Sequence, residues 1–233
     1  MFSNFRGLYA LVLSLLFSTI IHANYLYKDE ITNNKQFQED VERLGTELYE
    51  KTGIAVRLVM VHKLPQDTTV VDFEKDLVQS FNEPTVLLTF SALDQKVDIL
   101  ANPHSLYQYF DKKQILSPVA SWLQSFFLAV FFSHSWDEFK STSSNYGGTI
   151  IPILAQKAKK HQVNQKYSAA MFNGYADIVG QIADAKGVEL EHGVKNTNKN
   201  ALLLVKVFFY GFILYAIFRY LKLGFRKRRK EDD

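Results

Sequence analysis

In Glu50-Lys-Thr-Gly-Ile-Ala-Val-Arg-Leu-Val-Met-Val61 a helix end runs into a strand. The second half of this stretch is a β-branched, apolar run of the kind found in buried strands. Upstream, Phe37, Val41, Leu44 and Leu48 recur at helical spacing over 34–52. Asn33 or Asn34 is available as the cap of this helix and Gly53 as its stop. Downstream, Pro65 and Asp67 break the strand, and Val70, Phe73, Leu77 and Phe81 predict a second amphipathic helix over 70–81. Residues 84–90 predict a strand, 92–95 a turn and 96–101 a shorter alternating strand. The tight turn makes that pair antiparallel. The helix between 54–61 and 84–90 favours a parallel, right-handed crossover. The expectation is an α/β domain whose mixed sheet is covered by helices on both faces.

After Pro103 the pattern turns helical. Residues 106–115 predict one short helix. Residues 118–132 form an apolar segment containing Trp122, Phe126, Phe127, Phe131 and Phe132. It is short for a membrane span, which needs about 20 residues, and a second span would put the basic C-terminus on the wrong side. Core helix, partner-facing surface and membrane-facing surface all fit its composition. Residues 137–148 are polar, with Ser141 to Gly148 reading as an exposed loop, and 150–160 and 167–185 predict two further helices. In the last, Ala169, Ala170, Gly174 and Ala176 permit close helix approach, while Asn173 and Asp177 share a face at i,i+4 spacing. That phrase suits close packing or a partner contact.

The two ends specify an address. Arg6 precedes an uncharged run over 7–21, and His22-Ala23-Asn24 follows, the layout of a secretory signal cut after Ala23. Residues 201–218 are apolar apart from Lys206, which can snorkel. Extended to 223 they form a C-terminal transmembrane helix. Arg226, Lys227, Arg228, Arg229 and Lys230 then place the tail in the cytoplasm and the preceding domain outside. The implied division is a signal peptide at 1–23, a domain at 24–186, a polar linker at 187–200, a span at 201–223 and a basic tail at 224–233. This is the organisation of a single-pass protein of a bacterial inner (plasma) membrane with a periplasmic or otherwise extracytoplasmic domain.

Composition agrees with a packed domain: the 233 residues are 47% hydrophobic and 22% charged. The formal charge of +3 comes from the tail, and the remainder is slightly acidic, so nucleic acid is not an expected partner. The chain has no cysteine, which excludes disulfides, thiolate catalysis and cysteine-ligated zinc.

The 50–61 phrase, the helix before it, and the hairpin Thr85-Val-Leu-Leu-Thr-Phe-Ser-Ala-Leu-Asp-Gln-Lys-Val-Asp-Ile99 resemble the TPM domain family. The resemblance covers roughly residues 24–185 and rests on apolar packing phrases. It implies a three-layer αβα sandwich with a mixed sheet. The family includes a thylakoid-lumen acid phosphatase, a photosystem II repair factor and an auxiliary protein of a neuronal acetylcholine receptor. It therefore implies a soluble domain serving a membrane complex more than any one reaction. Two loops depart from the family pattern: Asn82-Glu83-Pro84 stands where a glycine usually precedes the second strand, and Ala101-Asn102-Pro103-His104 replaces a glycine-rich phrase.

Several family members bind divalent cations through carboxylates near strand ends. The candidate ligands here are Asp29, Glu30, Asp94 and Asp111, for calcium or magnesium. Of these, Asp94 best matches the family's hairpin acid and Asp29 the acid that opens the domain, although Asp also serves turns structurally. The six histidines form no HExxH motif and no close pair. No GxSxG, GxxxxGK[ST] or GxGxxG phrase occurs, so neither a serine-hydrolase elbow nor a nucleotide loop is indicated. Trp122, Phe126, Asn173 and Asp177 are the candidate interface residues. Two functions follow as expectations. One is an accessory factor for assembly, repair or regulation of a membrane protein complex. The other is a divalent-metal-dependent, phosphatase-like hydrolase.

Overall fold

A computed structural model of the chain describes residues 24–193 and, further on, helical positions 213, 215, 218–220 and 222. The expected signal peptide and basic tail lie outside the described residues, as does most of the expected span. Among the described residues no helix is long and apolar enough to cross a membrane.

The body is a mixed α/β structure. Strand β1 (Leu26–Asp29) leads through helix α1 (Lys35–Thr52) to β2 (Ala55–Val61), and α2 (Val70–Val78) connects β2 to β3 (Thr85–Ser91). A tight turn joins β3 to β4 (Lys96–Asn102). The sheet order is β1-β2-β3-β4, with the first three strands parallel and β4 antiparallel to β3. The β2–β3 and β3–β4 pairings are those the connection lengths demanded. β1 was not expected from the sequence. It is four residues long, and Glu42 on α1 holds it by accepting the Tyr25 and Leu26 N–H groups at 3.1 and 2.8 Å.

Side chains alternate across the sheet and divide the core in two. Val56, Leu58, Met60, Val86, Leu88 and Phe90 face α1 and the C-terminal helix. Val59, Val61 and Leu87 face α2 with its Val78, Phe73 and Leu77. Each fully buried Leu, Ile or Met contributes roughly 1.5–3 kcal/mol, and the first cluster holds most of them.

Local chemistry explains the helix ends. Asn34 Oδ1 accepts the Phe37 N–H, and Gly53, at φ 69°, takes the left-handed conformation that stops α1. Helix α2 is shorter than expected. It ends at Val78, and Phe81 leaves the helix to pack edge-on against Tyr27, 5.1 Å away, under the buried Arg57 guanidinium at 4.3 Å. The expected single helix over 106–115 is a 3-10 turn (His104–Tyr109) and a short helix α3 (Lys112–Ile115), because Phe110 is extended and Asp111 caps the second piece.

Helix α4 (Trp122–Phe132) is followed by α5 (Trp136–Ser144), where a polar loop was expected. The overlooked signal is Ser135-x-x-Glu138. The Ser135 hydroxyl accepts the Glu138 N–H, and Glu138 in turn accepts the His134 N–H at 2.8 Å. The helix expected over 150–160 is only α6 (Ile151–Leu154), since Lys166 Nζ closes its end by donating to the Leu154 and Gln156 carbonyls. After a 3-10 turn (Lys160–Gln162), α7 (Val163–Lys186) crosses the sheet.

The expected linker begins later than residue 187. Gly187 ends α7 at φ 68°, Leu190 is buried, and Glu47 on α1 accepts the Glu191 and His192 N–H groups and pairs with Lys51 and the His192 ring. Burial raises the Glu47 pKa, but the Lys51 ammonium and those two N–H groups outweigh it and hold the carboxyl at about 2. The docked body therefore extends to His192.

Candidate functional site

Parallel β1, β2 and β3 present their C-terminal ends along one edge of the sheet, the edge at which α/β folds place ligands. Three of the four candidate carboxylates belong to this rim. Asp29 Oδ1 accepts the Ile31 and Thr32 N–H groups, both at 2.9 Å, and Oδ2 accepts the Thr32 hydroxyl. Glu30 Oε2 accepts the His62 N–H at 3.0 Å, while Oε1 pairs with Lys28 at 2.7 Å. Asp94 Oδ2 accepts the Leu64 N–H at 2.8 Å and the Ser91 hydroxyl at 2.6 Å. The same contacts lower two pKa values: Lys28 and then the His62 N–H act on Glu30, and the Leu64 N–H and then Ser91 on Asp94.

Asp111 stands apart from the rim. It caps α3 by accepting the Gln114 N–H, and its own N–H donates to Gln181 on α7. Among the described residues no group of three or more His, Cys, Asp or Glu side chains is placed to hold a metal ion. A hard cation takes about six to eight oxygen ligands. As placed, Asp29 is used by its own turn, while Glu30 and Asp94 accept N–H groups from the loop after β2.

The polar group the sequence reading passed over lies under α2. Glu74 is fully buried, and neither carboxyl oxygen makes a hydrogen bond of normal geometry. Across from it are Thr89, whose buried hydroxyl is likewise unmatched, and Asp98, the cross-strand neighbour of Thr89. Lys112 reaches in to pair with Asp98 at 2.6 Å. Burial pushes the Glu74 pKa up to about 8; Thr89 opposes the rise and the Asp98 charge adds to it. A signal existed in the sequence: Glu74 falls between Val70 and Val78 at i,i+4 spacing, on the apolar stripe of its own helix.

The interface candidates do not converge. Asn173 is exposed on α7, whereas Asp177 is drawn into a network with Gln181 Nε2 at 3.0 Å and Gln114 Nε2 at 3.3 Å that fastens α3 to α7. The small residues around them serve close packing: a Cβ on Gly174 would lie 2.3 Å from Ile150 Cδ1. Trp122 and Phe126 are elsewhere, stacked at 5.4 Å on the hairpin formed by α4 and α5.

That hairpin inverts the usual arrangement of an amphipathic helix. The buried residues of α4 are the small Ser125 and Ala129, while Phe131 and Phe132 are 74% and 67% exposed. Trp136, at the start of α5, is 76% exposed. Ser125 donates to the Thr142 and Asn145 carbonyls and so holds the two helices together. Helices α4 and α5 pack chiefly on each other. Helix α4 thus carries most of its large side chains on the surface, whereas Val119 ahead of it is buried.

No protein-family model matches the chain, and no curated protein matches it.

Proposed function

We propose that the chain is a membrane-anchored, extracytoplasmic TPM-like protein. In this reading it acts as a docking or accessory factor for a membrane protein complex rather than as a hydrolase. The observation that carries the reading is the position of the last docked residue. The α/β body remains clasped to α1 through His192, and the apolar run of 201–218 begins only nine residues later, ahead of the basic block. A domain so close to a membrane segment is confined near the bilayer, and confinement raises its effective concentration for partners in the same membrane. The strand–helix–strand–hairpin order of β2, α2, β3 and β4 supports the TPM-like reading. Helices lying against both faces of the sheet support the three-layer αβα sandwich, to which the proposal adds one C-terminal transmembrane helix.

The absence of native cysteines gives a direct test. Lys63→Cys is on the exposed loop after β2, and Lys227→Cys is in the basic tail. A membrane-impermeant maleimide applied to intact cells should label Lys63→Cys alone and reach Lys227→Cys only after permeabilisation. The reverse pattern, or labelling of neither site before lysis, sinks the anchored extracytoplasmic reading. Crosslinking from Lys63→Cys in native membranes should then capture a defined membrane protein complex.

A further inference from the structure

We propose that the α4–α5 hairpin is a membrane-interface wedge, its exposed aromatic face seated in the headgroup–acyl boundary of the bilayer that anchors the chain. The inference rests on the anchored reading above and names what the hairpin meets there.

Four observations carry it. First, the exposed face is large and aromatic: Phe127, Phe131, Phe132 and Trp136 all point outward, and Phe127 stacks on Phe131 at 6.4 Å as Trp136 does on Phe139 at 5.3 Å. A contiguous apolar surface of this kind is uncommon on a monomer and marks a contact site. Second, no Asp, Glu, Lys or Arg occurs from Ser117 to Trp136, so nothing charged would have to be desolvated on entering the boundary. Third, tryptophans bracket the segment at 122 and 136, and tryptophan is the side chain that favours the membrane–water interface. Fourth, the chain between Gly193 and Ala201 spans at most about 29 Å even when fully extended. A bilayer is therefore within short reach of the body, whereas a protein groove would have to be recruited.

The hairpin is also held firmly enough to act as a wedge. The Gly148 N–H donates to the Val119 carbonyl at 3.0 Å, and Gln114 donates to the Gly147 carbonyl, closing the base of the hairpin onto α3. The polar residues Asp137, Glu138 and Lys140 are exposed on α5, where they can stay in water while the aromatic side is buried.

The test uses the two tryptophans, the only ones in the chain and both in this hairpin. The full-length protein is reconstituted into phosphatidylcholine–phosphatidylglycerol vesicles with and without brominated acyl chains, and emission is excited selectively from tryptophan. The expected result is strong quenching by the brominated lipid and poor quenching by aqueous acrylamide. In the double variant Phe131→Ser/Phe132→Ser, whose sites are exposed and whose fold circular dichroism can verify, bromolipid quenching should fall several-fold. Quenching unaffected by the double substitution overturns the proposal. So do tryptophans open to acrylamide, and so do tryptophans shielded from acrylamide yet untouched by brominated lipid, which would assign the face to a protein–protein contact. Alkaline extraction of the same vesicles reads the anchor separately. Retention without quenching removes the wedge alone, and release of the chain removes the anchored reading and the wedge together.

Discussion

The Tyr175 hydroxyl on α7 lies directly over Gly45 on α1, and a Cβ built on Gly45 would fall 2.4 Å from it. The same hydroxyl donates to the Val56 carbonyl on β2 at 3.0 Å, so one side chain joins both helices of this face to the sheet. Gly45→Ala on an open helix surface would stabilise by about 1 kcal/mol. Here it should cost about 1–3 kcal/mol by overpacking, because Tyr25 also stands 2.4 Å from the new methyl. Chemical denaturation measures the difference, and a variant as stable as the parent would contradict this packing.

Glu74 should make stability depend on pH. A carboxyl whose pKa is raised from 4.5 to about 8 binds its proton more tightly in the folded state. Its contribution is full below the unfolded pKa and falls as pH rises from about 4.5 through about 8. Glu74→Gln removes that loss. The variant should match the parent near pH 4.5 and exceed it at pH 8 by an amount on the order of a few kcal/mol. Equal unfolding free energies for the two proteins at pH 8 would show that Glu74 is comfortably solvated or paired.

Glu47 works in the opposite direction. Its carboxyl is held at about 2, so the clasp on residues 191–192 is present above the unfolded pKa near 4.5 and is lost as pH falls toward about 2. Glu47→Gln should loosen the same segment at neutral pH. Amide exchange at Glu191 and His192 is expected to accelerate about tenfold or more, the equivalent of one charge-assisted hydrogen bond, with exchange in β2 and β3 unchanged.

The Asp94 carboxylate ties the β3–β4 turn to the loop after β2. Asp94→Ala leaves the Leu64 N–H without its acceptor and should lower the melting temperature. Calcium or magnesium should leave the melting temperature of the parent where it was. A rise in melting temperature with either ion, abolished by Asp94→Ala, would instead establish the rim as a cation site.

Much of this architecture was open to a reading of residues. Wherever burial imposes a period, the pattern was decisive. Val41, Leu44 and Leu48 recur as a helix face must, and the connection lengths required β2 parallel and β3 antiparallel to their successors. The candidate site was less legible. Asp29, Glu30 and Asp94 were found as acids at strand ends, but their use is decided by which N–H groups and which lysine come within hydrogen-bond reach. That depends on turn geometry rather than composition. Glu74 was passed over although its place on an apolar stripe was visible, because a lone acid at helical spacing acquires meaning only once Thr89 and Asp98 stand opposite it.

The α/β class, the pairing of β2 with β3 and of β3 with β4, and much of the core are legible in one dimension, since burial acts directly on hydrophobic periodicity and loop length. Which side of α4 faces the body follows from packing in three dimensions. A helix with large apolar residues on every side has no strongly preferred face of its own. The outcome turns on Ser125 finding the Thr142 and Asn145 carbonyls, and that leaves Phe131, Phe132 and Trp136 in the open.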